Sequence, residues 1–158
     1  MPLTLSNINA EIGWTQTKST TYGSVKQGPA KLSASLAPSV ATFNELLAVQ
    51  GTLAASANTT IDLYSITNLL GDAKTLTKAI ALMVKATTTG MKIEPGASNP
   101  LTWFFGGTSP SISIKAGGFM LLGDGAVFTL SATDRNLKIT NLSGSVTGTY
   151  DVVLLGGT

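Results

Sequence analysis

Between positions 111 and 130 the chain reads SISIKAGGFMLLGDGAVFTL, and its order of apolar and polar residues sets the pattern for most of the molecule. Ile112 and Ile114 alternate with Ser111, Ser113 and Lys115, a period of two that puts both isoleucines on one face of a strand. Gly117 and Gly118 supply the positive φ of a tight reversal. Phe119, Met120, Leu121 and Leu122 then run without interruption, as in a strand covered on both faces. Gly123-Asp124-Gly125 predicts another turn before Val127, Phe128 and Leu130 resume. A helix is the poorer reading, because the glycines leave no three unbroken turns.

The same punctuation recurs from Thr42 onward. Residues 43–55, FNELLAVQGTLAA, predict a strand with Leu46, Leu47 and Val49 at its core and Gly51 at a bulge; a short helix over 40–48 is the alternative. Ile61 and Leu63 alternate with Asp62 and Tyr64. Residues 66–78, ITNLLGDAKTLTK, predict an irregular connection with one helical turn. AIALMVKA at 79–86 is the most apolar strand and the expected centre of a sheet. The loop PGASNP at 95–100 precedes LTWFF at 101–105, which is dense in aromatics. Leu137 and Ile139 point inward between Lys138 and Thr140, and TYDVVLL at 149–155 closes the chain.

Eight or nine short strands with Gly-rich turns and no long helix predict an all-β fold, an antiparallel sandwich of jelly-roll or Greek-key type. Its core is expected at Ile61, Leu63, Ile80, Leu82, Val84, Ile112, Ile114, Phe119, Leu121, Val127, Leu137, Ile139, Val152 and Leu154.

The first 40 residues are different. Thr, Ser, Lys, Gln, Gly and Pro dominate, apolar residues are isolated, and Gly28-Pro29 and Pro38 interrupt any regular element. Such a segment has too little apolar surface to offset its own ordering entropy. The expected organisation is an extended N-terminal arm over 1–40 and a sandwich domain over 41–158. Because Trp14 and Tyr22 are costly to leave in water, the arm is expected to dock on a neighbouring subunit through Ile8, Ile12, Trp14 and Tyr22. In the body, Trp103, Phe104 and Phe105 are the further candidates for subunit contact, the core being their other destination.

Composition narrows the chemistry. The 158 residues are 43% hydrophobic but only 11% charged, less than half the usual share of about 25%. A surface so poor in charge resists self-association weakly and suits a protein engaged with other subunits. Net charge is +2, with the lysines scattered, so no basic stripe for specific nucleic-acid binding is present. The chain has no cysteine and no histidine. Disulfides, thiolate metal sites, Ser-His-Asp and Cys-His catalysis therefore have no residues to use. The remaining acids, Glu11, Glu45, Asp62, Asp72, Glu94, Asp124, Asp134 and Asp151, are dispersed rather than paired as glycoside hydrolysis requires. Asp124 and Asp134 could join loop carbonyls around calcium, although no EF-hand spacing supports it. Gly106-Gly107-Thr108 and Gly117-Gly118 lack the spacing of a phosphate loop. Trp103, Phe104 and Tyr64 could stack on a sugar. The opening MPLTLSNINAEIGW lacks the charge and apolar core of a Sec signal, and no apolar run reaches the roughly 20 residues of a membrane span. A cytoplasmic, non-enzymatic chain without cofactor, metal or membrane partner is expected.

Two stretches carry a resemblance. LSNINAEIGWTQTKST, residues 5–20, resembles the "SDIN-x-ELG" opening of many tailed-phage structural and tail-associated proteins. Ser6, Asn7, Ile8, Asn9, Glu11, Ile12 and Gly13 match it, with Asn7 in place of the usual acid. The body, from IDLYSITNLLGD through LKITN to YDVVLLGG, is similar to small β-sandwich proteins of tailed-phage particles, decoration proteins and tail knobs among them. The resemblance implies a non-enzymatic virion component, usually homotrimeric, assembled in the host cytoplasm. Its expected partners are the major capsid protein or other virion subunits. The leading expectation is a capsid decoration, or cement, protein. A tail-fibre or spike module binding a host glycan and a single-jelly-roll coat subunit are the alternatives.

Overall fold

The computed structural model describes residues 8–20, 23–36, 45–68, 71–102, 105–106 and 110–158, with side chains from 45 onward except 124–127. The chain divides into two compact units, Leu5–Pro38 and a larger one of Met1–Thr4 with Ser39–Thr158.

The smaller unit is a hairpin. β1 (Ile8–Thr20) pairs antiparallel with β2 (Gly23–Leu36), from Ile8 opposite Leu36 to Thr20 opposite Gly23. The sequence predicted a break at Gly28-Pro29. Instead the register slips there: Ala30 faces Trp14 and Gln27 faces Gln16, so Gly28 and Pro29 together oppose Thr15. Proline has no N–H to give a ladder, and a bulge is where a strand accommodates it without ending.

Among the described residues the larger unit has ten strands: β3 (Glu45–Leu53), β4 (Asn58–Asp62), β5 (Ser65–Thr67), β6 (Ala73–Thr75), β7 (Lys78–Ala86), β8 (Met91–Pro95), β9 (Ile112–Ile114), β10 (Phe119–Thr129), β11 (Asn136–Asn141) and β12 (Gly148–Gly157). No helix occurs among the described residues. Where one helical turn was expected, β5 and β6 form a small antiparallel ladder. Sheet I has the order β10-β7-β12-β3 and sheet II the order β4-β11-β8-β9, with every strand pair antiparallel. Leaving aside the short β5–β6 ladder, the first strand pairs with the last, β3 with β12. Inside that pair nest β4 with β11, β7 with β10, and β8 with β9. This nesting, a long hairpin wound into two facing sheets, is the jelly roll.

Alternation along each strand fills the space between the sheets. Sheet I contributes Leu47, Leu82, Val84, Tyr150, Val152 and Leu154; sheet II contributes Ile61, Met91, Ile93, Ile114, Leu137 and Ile139. Each such side chain gains about 1.5–3 kcal/mol on leaving water. Gly51 is not a bulge, since Tyr150 faces it in unbroken register. A Cβ there would lie 2.2 Å from the Tyr150 hydroxyl, so only glycine leaves room for the ring.

The core differs from the sequence expectation at three positions. Ile112 and Phe119 are 39% and 68% exposed, and Leu121 is half-buried. β9 and β10 are the outermost strands of their sheets, which their apolar composition could not reveal. Ile80 is buried but outside the main cluster. The Val127 side chain lies outside the described residues. Gly123-Asp124-Gly125 does not end a strand either: β10 continues through it with a register shift between Gly123 and Phe128. Gly117 does take the expected positive φ, at 75°, in the turn between β9 and β10.

Candidate interaction surface

The outward faces of the two sheets are chemically opposite. In sheet II, β11 turns Asn136, Lys138 and Thr140 outward and β8 turns Lys92 and Glu94 outward. Glu94 receives Lys138 at 2.9 Å and Lys92 on its other oxygen. Hydrogen bonds from Lys138 and then Lys92 hold the Glu94 carboxyl below its ordinary range against a smaller opposing effect of burial. This sheet faces water.

Sheet I does not. Its interior positions are Leu47, Val49, Leu82, Val84, Met120, Leu122, Val152 and Leu154, so the intervening residues point away from the core. Strand register sorts those outward residues into three rows that cross β10, β7, β12 and β3 in turn. The first row is Phe119, Lys85, Asp151 and Gln50; the second is Leu121, Met83, Val153 and Ala48; the third is Gly123, Ala81, Leu155 and Leu46. Eight of the twelve are apolar residues other than glycine. Ala81 and Leu155 are already buried within the chain, whereas Ala48 is exposed and Leu46, Met83, Leu121 and Val153 are half-buried. A monomeric surface strand alternates hydrophobic with polar residues, but β7 and β12 are apolar on both sides, as in sheets that are covered twice. The charge in the face is confined to its first row, where Gln50 donates to Asp151 at 2.8 Å.

The sequence carried this signal without its location. The runs FMLL, AIALMV and VVLL are continuous rather than alternating, yet only the register shows that their second faces line up on one side of one sheet.

The chain's other charged and polar clusters hold loops. At one end of the barrel Arg135 makes a two-pronged contact to Asp62, 2.9 Å at its Nε, and lies over the Tyr64 ring at 5.0 Å. Burial raises the Asp62 carboxyl, but the Arg135 hydrogen bond, the Ser65 and Tyr64 backbone N–H groups and the Arg135 charge together outweigh it and hold it low. Asp134 accepts from the Thr102 backbone and hydroxyl at 2.8 and 2.7 Å. At the other end buried Asn141 joins three loops, described below. Among the described residues no three His, Cys, Asp or Glu side chains converge as a metal site, the Asp124 side chain being outside them. No described helix is long and apolar enough to cross a membrane.

The residues singled out from sequence fall in separate places. Ile8, Ile12 and Trp14 lie on β1, opposite Leu36, Leu32 and Ala30. Tyr22, Trp103 and Phe104 lie outside the described residues. Phe105 is half-buried and packs against the core. Phe105 is not part of the outward face of sheet I.

No family model matches the chain, and no curated protein does. Among solved structures, the cupin domain of Schizosaccharomyces pombe Cnp3 aligns over 92% of this chain and 83% of its own, with TM-score 0.39 and 8% identity. A putative ethanolamine utilization protein from Salmonella typhimurium aligns over 94% and 99%, with TM-score 0.37 and 6% identity. So loose a likeness leaves the jelly-roll assignment resting on the strand order itself.

Proposed function

We propose that this chain is a structural subunit that works by packing against other protein, in the manner of a decoration protein on a phage head. The observation that carries the reading is the asymmetry of the sandwich: one outward sheet face is charged and the other is apolar across four strands. A jelly roll with one apolar exterior face suits an assembly, and the fold serves capsid and lectin domains alike. In this reading the sandwich forms the oligomer and the Leu5–Pro38 unit provides the contact with the shell. The chemistry remaining without histidine or cysteine agrees with a role free of turnover.

The test is to add the purified chain to heads stripped of accessory proteins and to count copies bound. Hundreds per head, with a gain in heat resistance, support the decoration role. A few copies confined to the tail tip favour the glycan-binding fibre module. Saturated heads no more heat-resistant than bare ones overturn the cement function.

A further inference from the structure

We infer that the outward face of sheet I is a self-complementary surface, closed by the same face of a second copy across a two-fold axis. The axis runs parallel to β7 and β12, midway between them. Rotation about it keeps each row opposite itself and exchanges the strands, placing β7 over the partner copy's β12 and β10 over its β3. The identities match in charge or size at four of the six kinds of superposed pair; Phe119 meets Gln50 without such a match, and Ala81 and Leu155 are covered within their own chain. Lys85 meets Asp151 twice, once on each side of the axis. Met83 meets Val153. The bulky Leu121 meets the small Ala48, and Leu46 meets Gly123. Facing sheets pack about 10 Å apart and within about 30° of parallel, so the central pairs are the ones this geometry holds most firmly.

A contact in which residue i meets j and j meets i is what a two-fold dimer demands. The folding of one chain accounts for Lys85 beside Asp151, which are cross-strand neighbours, but not for the match of Leu121 with Ala48. Leu121 and Ala48 lie on the two outermost strands of the sheet, three strands apart, and do not touch within a copy. With Ala81 and Leu155 covered within their own chain, the open part is two rows about 6.8 Å apart across four strands about 4.8 Å apart, roughly 260 Å² of plan area per copy. An area so far below the standard interface size makes the expected dimer weak and reversible. The inference holds whatever shell or partner the chain serves, and the two-fold contact differs from the homotrimer that the resemblance implies.

The test uses the full chain in solution by sedimentation equilibrium over a concentration series, with circular dichroism to verify folding. The wild type is expected to show a reversible monomer–dimer equilibrium. Lys85→Glu sets a carboxylate against Asp151 of the facing copy, and Asp151→Lys sets an ammonium against its Lys85. Each variant alone should therefore self-associate at least about tenfold more weakly. An equimolar mixture should dimerise again. Both interchain pairs in the mixed dimer are then of opposite sign, while the neighbouring charges within each chain remain alike. Ala48→Trp, at an exposed position, should also block the dimer by displacing Leu121 of the facing copy. A wild type that stays monomeric or forms trimers overturns the inference. So does a mixture that fails to dimerise, or an Ala48→Trp chain that associates as well as the wild type.

Discussion

Asn141 offers the sharpest test of how one end of this sandwich is held together. Its side chain is 2% exposed, at the end of β11. The carbonyl oxygen accepts the Thr89 hydroxyl at 2.8 Å and the Ser143 N–H at 3.0 Å. The amide nitrogen donates to the carbonyls of Leu53, Ala54 and Val146 at 3.1, 3.0 and 2.8 Å. One amide thus ties the β3–β4, β7–β8 and β11–β12 connections together. Asn141→Ala removes all five bonds and strands the buried Leu53 carbonyl and Thr89 hydroxyl. Counting only the two buried groups left unpaired, at about 1–3 kcal/mol each, the loss is about 2–6 kcal/mol. A domain of this size has only about 5–15 kcal/mol in total. With a slope of about 2 kcal/mol per molar urea, the midpoint should fall by about 1–3 M.

Asn141→Asp is nearly isosteric and more informative. It can still accept from Thr89 and Ser143, but it points an oxygen at three carbonyls. Only the protonated acid can donate to one of them, so folding should raise its pKa above the unfolded value of about 3.9. The folded state then binds the extra proton. Stability is highest below the unfolded pKa and declines as pH rises, by up to about 1.4 kcal/mol per unit, until the folded pKa is passed. Urea midpoints followed by circular dichroism from about pH 3.5 to 8 would show this as a profile falling away from that of the wild type. A variant profile parallel to the wild type, or an Ala variant within about 1 kcal/mol of it, would refute the arrangement.

Other outcomes follow from the same geometry. Val84→Asp places an unpaired charge between the sheets and should abolish folding, whereas Leu121→Asp on the outward face should leave a folded chain; thermal melts of both distinguish the two strand faces. Asp62→Asn should flatten the acid limb of the stability curve. The folded carboxyl is held low, so its contribution is complete above the ordinary carboxylate value of about 3.9 and is lost as pH falls through the depressed one. Equal acid sensitivity in wild type and Asp62→Asn, read from urea midpoints between about pH 2 and 6, would contradict the Arg135–Asp62 clamp.

What the chain's own order of residues determined was the class of structure and the exclusions of chemistry. Period-two stretches such as NLKITN and the recurrent glycines admit strands and little else, because side-chain alternation and turn backbone are local properties. The absence of histidine and cysteine is likewise complete in the sequence. Tertiary structure decided which strands are outermost, and with that the fate of Ile112, Phe119 and Leu121, whose apolar character is the same on an edge as in a core. It also decided that Gly28-Pro29 is absorbed as a bulge and that Ser65–Thr67 pairs with Ala73–Thr75 as β5 and β6, since a partner strand can hold what local propensity would release. Most of all it decided the outward face of sheet I. Leu46, Met83, Leu121 and Val153 are scattered over most of the chain, and a surface made of them exists only once hydrogen-bond register has aligned four strands side by side.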